Sequence, residues 1–132
     1  FADATVRQRL EAILHPRIRR EADRRCNDAV SPYVLLAVPL LAETGAYRDR
    51  VARVLVVDCE ESTQLSRVMA RNGLPADSVR AIMATQVSRA ARLALANDIV
   101  TNDGARELLE PQVETLHRRY LQLAGGENRR NG

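Results

Sequence analysis

Arginine is the residue type with the most chemistry to offer in this sequence. The chain has 132 residues and twenty basic side chains, and every one of those is arginine. A guanidinium group can donate two parallel hydrogen bonds to one oxyanion, which suits the recognition of phosphate. Because the chain has no lysine, it contains neither a Schiff-base lysine nor a Walker A lysine.

Two sets of polar side chains have the spacing of a single helix face. The sets are Gln64, Arg67 and Arg71, followed by Gln86, Arg89 and Arg92. Residues three or four apart share a face of a helix, so two arginine-bearing helices joined by a turn could close over a nucleoside triphosphate. The alternative is a pair of solvated faces whose charge is balanced by Glu60, Glu61 and Asp77.

Three further groups of residues follow predicted strands. They are Pro39, Leu40 and Leu41 with Glu43 after the first strand, Asp58 after the second, and Asn102, Asp103 and Gly104 after the third. Ligands of open parallel sheets bind beyond the carboxyl ends of the strands, so we expect these groups to share one edge. Pro39 also has a simpler interpretation as a strand terminator, because proline cannot donate to a sheet.

Metal and disulfide chemistry have little support. His15 and His117 have no second ligand at metal-binding spacing, so the sequence predicts no metal site. Cys26 and Cys59 each stand alone in their segments, and we expect two buried thiols.

The elements that must position these side chains alternate between helix and strand. Helical patterns cover residues 4–30, as two helices or one kinked at Pro16, and then residues 62–73, 76–96 and 105–124, the last with a possible kink at Pro111. Strand patterns cover residues 33–38, 54–57 and part of 97–104. This alternation predicts an α/β fold with a parallel sheet. We expect one domain over residues 1–124 and a disordered polar tail over 125–132.

Composition narrows the class of protein. The chain is 45% hydrophobic and 28% charged, as in soluble globular domains. A net charge of +3 and only four aromatic residues argue against nucleic-acid binding. The apolar runs are far shorter than the roughly 20 residues that span a bilayer, so we expect no membrane partner and a cytoplasmic location.

Five blocks of sequence carry a resemblance to a known family. The blocks are LHPRI (14–18), SPYVLLAVPLLAETG (31–45), RVLVVDCEESTQLSRVMARNG (53–73), TQVSRAARLALANDIVTNDG (85–104) and LHRRYLQLA (116–124). In this order they resemble the dephospho-coenzyme A kinases, and the likeness runs from about residue 4 to residue 124. The resemblance implies part of a P-loop kinase-like three-layer α/β fold, with a parallel sheet, flanking helices and a helical lid over about residues 62–96.

The same resemblance implies an activity. The family transfers the γ-phosphate of ATP to the ribose 3′-hydroxyl of dephospho-coenzyme A, the last step of coenzyme A synthesis, with ATP as co-substrate and Mg²⁺ as its expected metal. The acceptor would lie beside His15, Pro16, Pro39, Leu40, Leu41 and Glu43. The lid over the phosphates would contain Arg67, Arg71, Gln86, Arg89 and Arg92, and Asn102 would lie near the adenine.

One part of the family pattern does not occur in the chain. The phosphate loop G-x-x-G-x-G-K-[ST] and the acidic segment that follows it are missing, and the first residue is Phe1. We therefore expect a carboxyl-terminal portion of an enzyme whose amino-terminal part supplies the phosphate loop, and we expect no kinase activity from this chain alone. The alternative is a non-catalytic module of the same fold that binds a nucleotide or a protein.

Overall fold

A computed structural model describes residues 4–39, 41–45 and 47–128. The chain divides into two compact units. One contains residues 1–37 and 121–132, and the other contains residues 38–120.

The first unit is dominated by one long helix. Helix α1 covers Ala4–Asp28 and contains Pro16, so the single-helix alternative is confirmed. Proline removes one backbone hydrogen bond from a helix interior, and the remaining residues carry the helix past it. Near the end of α1, Arg24 and Arg25 pair with Glu21 at 2.9 and 2.7 Å. Hydrogen bonds from Arg24 and then Arg25 lower the pKa of Glu21 to about 2.

The strand predicted at residues 33–38 is not formed. These residues follow α1 in irregular conformation, and the sheet contains two strands within the described part of the chain. A strand needs a hydrogen-bonded neighbour to form a ladder, and neither strand of the described sheet forms one with this run. Its apolar pattern alone does not supply the neighbour that a strand requires.

The second unit is built around two parallel strands. Its elements are α2 (Leu41–Thr44), a 3₁₀ turn (Arg48–Arg50), β1 (Leu55–Asp58), α3 (Glu61–Asn72), α4 (Ala76–Ala84), α5 (Arg89–Ala94), β2 (Asp98–Thr101), a second 3₁₀ turn (Arg106–Leu108) and the first part of α6 (Glu110–Asn128). The strands pair from Leu55 with Asp98 to Asp58 with Thr101. The two strands predicted near residues 54–57 and 97–104 are thus confirmed, as is the α/β class.

The helix predicted over residues 76–96 is two helices. Helix α4 ends at Ala84 and α5 begins at Arg89. The Ser88 hydroxyl accepts a hydrogen bond from the Ala91 amide at 3.1 Å, which is the N-cap that starts the new helix. Gln86 therefore lies in the connection between the two helices, and the prediction that it shares a helix face with Arg89 and Arg92 is wrong.

The helix before α4 ends where the sequence predicts. Gly73 follows α3 with φ of 65°, in the left-handed region, and its amide donates to the Met69 carbonyl at 2.9 Å. Glycine adopts this conformation without the steric cost that a Cβ atom brings. Gly73 is thus the structural reason for the turn between α3 and α4.

The core of this unit is small and consists of valines. Val54, Val56, Val79 and Val100 are the buried apolar side chains of the described residues. At the end of β2, the Gln112 side chain of α6 accepts from the Thr101 amide at 2.9 Å and donates to the Thr101 carbonyl at 3.0 Å. At this one residue a glutamine thus takes the hydrogen bonds that a third strand would make.

Helix α6 differs from its prediction at both ends. Pro111 is its second residue, where the missing N–H has no helical partner to lose, so the kink considered at Pro111 is not needed. Residues 125–128, predicted as tail, continue the helix to Asn128, and residues 129–132 lie outside the described range. None of the described helices has the length and apolarity of a transmembrane span.

Candidate functional site

The loops that follow β1 and β2 are joined by hydrogen bonds at the carboxyl edge of the sheet, which we define as the region beyond Asp58 and Thr101. The Asn102 amide donates to the Asp58 carbonyl at 2.7 Å, and this bond extends the strand pairing by one residue. The Glu60 amide donates to the Asp103 carboxylate at 2.6 Å. Two of the three groups predicted to share an edge are thus in direct contact.

Arg67 fixes the turn after β2 from the side of α3. Its guanidinium donates to the Asn102 carbonyl at 2.6 Å and to the Gly104 carbonyl at 3.2 Å. Asn102, the residue predicted on the adenine side, is half-buried beneath this contact. Arg67 therefore uses at least two of its donors to shape the turn in this structure.

Arg89 is held by two carboxylates at the same edge. Its Nε lies 2.9 and 3.2 Å from the two Asp58 carboxylate oxygens, and its Nη2 lies 2.7 Å from one of them. Its Nη1 lies 2.7 Å from a Glu60 oxygen. The hydrogen bonds from Arg89 hold the pKa of Asp58 below its usual range, against the opposing effect of burial, and the pKa of Arg89 is raised for the corresponding reason. Both groups are therefore charged at neutral pH.

A cavity of about 230 Å³ lies beside β1. Its lining consists of Val38, Pro39, Leu41, Ala42, Glu43, Val54, Leu55, Val56, Val57, Gln86, Arg92 and Leu95. Most of this wall is apolar, and the ionisable groups on it are one carboxylate, Glu43, and one guanidinium, Arg92. Three residues predicted on the acceptor side (Pro39, Leu41 and Glu43) thus share a cavity with two predicted for the lid.

A hydrogen bond connects Glu43 in the cavity wall with the loop between α4 and α5. The Glu43 carboxylate accepts from the Val87 amide at 3.3 Å. Val87 lies in the connection between α4 and α5, next to Gln86. The segment that follows Pro39 is therefore hydrogen-bonded to the loop between α4 and α5. Gln86 of this loop lines the cavity.

The remaining predicted site residues belong to other parts of the chain. Arg71, on the last turn of α3, donates to the Asn72 side chain at 2.9 Å. His15 and Pro16 are exposed residues of α1 in the first unit, and Leu40 lies outside the described residues. The expectation of buried thiols holds only in part, because Cys26 and Cys59 are both half-buried. Burial is nevertheless sufficient to raise the pKa of the Cys59 thiol.

The alternative of solvated, charge-balanced faces is met at one arginine of the two sets. Glu60 pairs with Arg89 itself at 2.7 Å, and Arg89 also contacts the almost buried Asp58. Asp77 pairs at 3.0 Å with Arg80, which belongs to neither set, and the Asp77 side chain is 96% exposed. The pair of Asp77 and Arg80 is ordinary surface charge, and the pair of Glu60 and Arg89 belongs to the carboxyl edge.

The sequence reasoning missed a cluster at the opposite end of β2. The Asp98 carboxylate, 1% exposed, accepts from Arg53 at 2.6 and 3.1 Å, from Arg119 at 2.8 Å and from the Tyr120 hydroxyl at 3.1 Å. The hydrogen bonds from Arg53 are the main cause of the lowered pKa of Asp98. Burial, and then the hydrogen bond from its hydroxyl to Asp98, raise the pKa of Tyr120 to about 12. An aspartate at the start of an apolar strand was the signal that could have pointed to this cluster.

The described residues do not fit a Mg²⁺ site. No group of three His, Cys, Asp or Glu side chains that could hold a metal ion occurs within them. Asp58, the carboxylate nearest to the end of β1, has both oxygens engaged by Arg89.

The fold and the site together define a class of α/β proteins in which a parallel sheet presents charged side chains at its carboxyl edge. Parallel sheets bind their ligands at this edge. Comparison with known families narrows the class. The family model described as dephospho-CoA kinase matches residues 1–107. The chain belongs to the dephospho-CoA kinase family, in agreement with the resemblance found in its sequence.

Individual relatives agree with this assignment. The chain is 58% identical over 124 residues to the dephospho-CoA kinase of Dechloromonas aromatica and 52% identical over 124 residues to that of Aromatoleum aromaticum, which in each case is 94% of this chain and 60% of the relative. The crystal structure of TT1252 from Thermus thermophilus superposes with a TM-score of 0.75 at 29% identity, over 90% of this chain and 62% of that one. The chain therefore spans about three-fifths of the length of the relatives it matches.

Proposed function

We propose that the full-length protein that contains this chain is a dephospho-CoA kinase, which transfers the γ-phosphate of ATP to the ribose 3′-hydroxyl of dephospho-CoA. Membership of the family supports the class of reaction. The substrates dephospho-CoA and ATP follow from that class.

The observation that carries the proposal is the cavity beside β1. Its lining includes Glu43 and Arg92 together with a mostly apolar set of side chains. Phosphoryl transfer depends mainly on the positioning of the two substrates and on cations around the transferred group. A cavity lined by residues proposed for both the acceptor side and the phosphate side supports the first requirement, and Arg92 in its wall supplies one cation toward the second.

The residue roles follow the same division. On the acceptor side we place His15, Pro16, Pro39, Leu40, Leu41 and Glu43. Over the phosphates we place the lid of about residues 62–96, with Arg67, Arg71, Gln86, Arg89 and Arg92. Asn102 lies on the adenine side, in the turn that Arg67 binds.

The phosphate loop and the metal ligands are proposed to come from a segment on the amino-terminal side of Phe1. The chain contains no lysine, and its described carboxylates do not fit Mg²⁺. Mg²⁺ would supply charge neutralisation of the ATP phosphates when bound, and the arginines of this chain would hold and orient those phosphates from the lid side. A cytoplasmic location is part of this proposal.

The experiment is a coupled assay of ADP release by the full-length protein that contains this chain. We expect turnover that requires both ATP and dephospho-CoA, with product identified as coenzyme A by mass spectrometry. The 132-residue chain, purified separately, is expected to show none. Absence of turnover by the full-length protein would overturn the proposal and favour a non-catalytic module of the same fold.

Two arginine variants test where the site lies. Arg89→Ala should lower kcat/KM by at least about 100-fold, the loss typical when one preorganised charge donor is removed. Arg80→Ala is the matched control, because Arg80 is an exposed arginine of α4 that pairs with Asp77 at the surface. Equal activity of the two variants would place the phosphates away from Arg89.

A further inference from the structure

Asp58 and Glu60 share the guanidinium group of Arg89, but they hold it in different ways. Asp58 takes the Nε and Nη2 side of the fork with three contacts between 2.7 and 3.2 Å, and its side chain is 11% exposed. Glu60 takes Nη1 with one contact of 2.7 Å, and its side chain is 59% exposed. Among the described residues these two carboxylates are the acidic partners of Arg89.

The Asp58 side chain is held in a fixed position. It is the last residue of β1, and its carbonyl accepts from the Asn102 amide, so its backbone is fixed by both strands. If Arg89 turned away, an almost buried carboxylate would lose its charged partner, which is strongly unfavourable. The contact therefore sets the direction in which the rest of the guanidinium points.

The Glu60 side chain is held only weakly at Arg89. An exposed ion pair contributes only about 0.2 to 1 kcal/mol. The backbone of Glu60 is held independently of its side chain, because its amide donates to Asp103 at 2.6 Å and its carbonyl accepts from the Gln64 amide at 3.0 Å. The side chain can therefore move into solvent without any change in the loop. A phosphate group, with more charge and more acceptor oxygens than a carboxylate, is the stronger partner for an arginine.

We propose that Asp58 is a positioning residue that aims Arg89 at the polyphosphate of a nucleoside triphosphate, and that the Glu60 carboxylate occupies the place of a phosphate group until that ligand arrives. This inference rests on the proposed function, since it takes Arg89 as a phosphate-binding residue. It assigns opposite effects to two neighbouring carboxylates: Asp58 supports phosphate binding, and Glu60 competes with it.

The first test is calorimetric binding of inorganic tripolyphosphate to the full-length protein at about 0.15 M salt, where distant charges are screened. Glu60→Gln removes the competing charge and should lower Kd by about fivefold, the factor that corresponds to about 1 kcal/mol at the upper end of the range for an exposed ion pair. Glu61→Gln is the matched control, with the same chemical change one residue further along at an exposed position. We expect its Kd to stay within about 1.5-fold of the unmodified protein.

The second test uses Asp58→Asn in the same measurement. Loss of the charged, two-point contact should raise Kd by at least about tenfold, opposite in sign to Glu60→Gln. A purely structural role would lower the unfolding temperature without producing this opposition, so thermal unfolding is measured in parallel. Should Asp58→Asn fail to fold, the comparison of Glu60→Gln with Glu61→Gln decides the question.

Several outcomes would overturn the proposal. They are unchanged or weaker binding in Glu60→Gln, unchanged binding in a folded Asp58→Asn, and absence of tripolyphosphate binding by the unmodified protein. The measurement involves no phosphoryl transfer, so failure of the kinase assay with retained tripolyphosphate binding would count against the proposed function alone.

Discussion

At the scale of single residues, Asp98 is the side chain on which most contacts converge. Its buried carboxylate accepts hydrogen bonds from Arg53, Arg119 and Tyr120. Arg53 precedes β1, and Arg119 and Tyr120 lie in α6. The Asp98 carboxylate, at the start of β2, therefore connects both strands to this helix. A buried charge with three donors is stabilising only while all of them remain in place.

Asp98→Asn should therefore destabilise the protein by about 2 kcal/mol, because an amide cannot satisfy two guanidinium groups and a hydroxyl that are arranged around a carboxylate. Urea unfolding at neutral pH measures the change. Asp77→Asn is the control, since Asp77 is 96% exposed and its change should stay within about 0.5 kcal/mol. Similar effects of the two substitutions would contradict the importance of the buried cluster.

The pH dependence of stability tests the same carboxylate. The pKa of Asp98 is lower in the folded protein, mainly through Arg53, than the roughly 3.9 of an aspartate in an unfolded chain. Its contribution is therefore complete above that pH and is lost as the pH falls through the lowered pKa. We expect the gap in unfolding free energy between the unmodified protein and Asp98→Asn to narrow from about pH 6 to about pH 3. A gap that does not depend on pH would show that the effect of the substitution is steric.

At the scale of elements, the helix that carries Arg67 is fixed at both ends by local features. Its first residues follow Glu60, whose amide is bound by Asp103, and its last turn closes on Gly73. The position of Arg67 over the turn after β2 depends on both ends. Gly73 is the end that a single substitution can test.

Gly73→Ala should cost about 1 kcal/mol, because φ of 65° is strained for a residue with a Cβ atom. No atom lies within 4 Å of the added carbon, so the cost comes from the backbone conformation alone. Gly125→Ala in α6 is the control of opposite sign: it also has open space, and alanine there should add up to about 1 kcal/mol of stability. Chemical denaturation of both variants measures the difference, and two stabilised variants would contradict the left-handed conformation at Gly73.

At the scale of the whole molecule, the sheet is unevenly covered. Val57 and Val100 are register partners in neighbouring strands, but Val57 is 61% exposed and Val100 is 5% exposed. At Thr101, the outer edge of β2 is hydrogen-bonded by the Gln112 side chain. The described residues thus give the two strands different surroundings.

The valine pair supplies a matched test of this asymmetry. Val100→Thr buries a hydroxyl and should cost about 1 to 3 kcal/mol, whereas Val57→Thr should change stability by less than about 0.5 kcal/mol. The substitution is chemically identical and nearly isosteric at both positions. Thermal or urea unfolding compares them, and equal losses would mean that Val57 is covered in the protein as it exists in solution.

Much of the local structure could be predicted from local signals. The two strands near residues 54–57 and 97–104 and the helix that ends at Gly73 are each specified by residues within a few positions of one another. The break before α5 had a readable signal in Ser88, whose side chain caps the helix. Residues 33–38 could not be judged in this way, because a strand depends on a neighbour that local sequence does not identify.

For the site, the sequence by itself determined which charged side chains are present. Twenty arginines without a lysine, polar turns after strands and a family resemblance are the features on which the proposal of phosphate recognition by this chain rests. Tertiary structure decided which arginine faces which group. Arg89 meets a carboxylate 31 positions away, Arg67 meets carbonyls 35 and 37 positions away, and Arg53 meets Asp98 across 45 positions. The physical reason is that the charge of an arginine is a property of the residue, whereas its partner depends on distances that exist only after the strands and helices have packed.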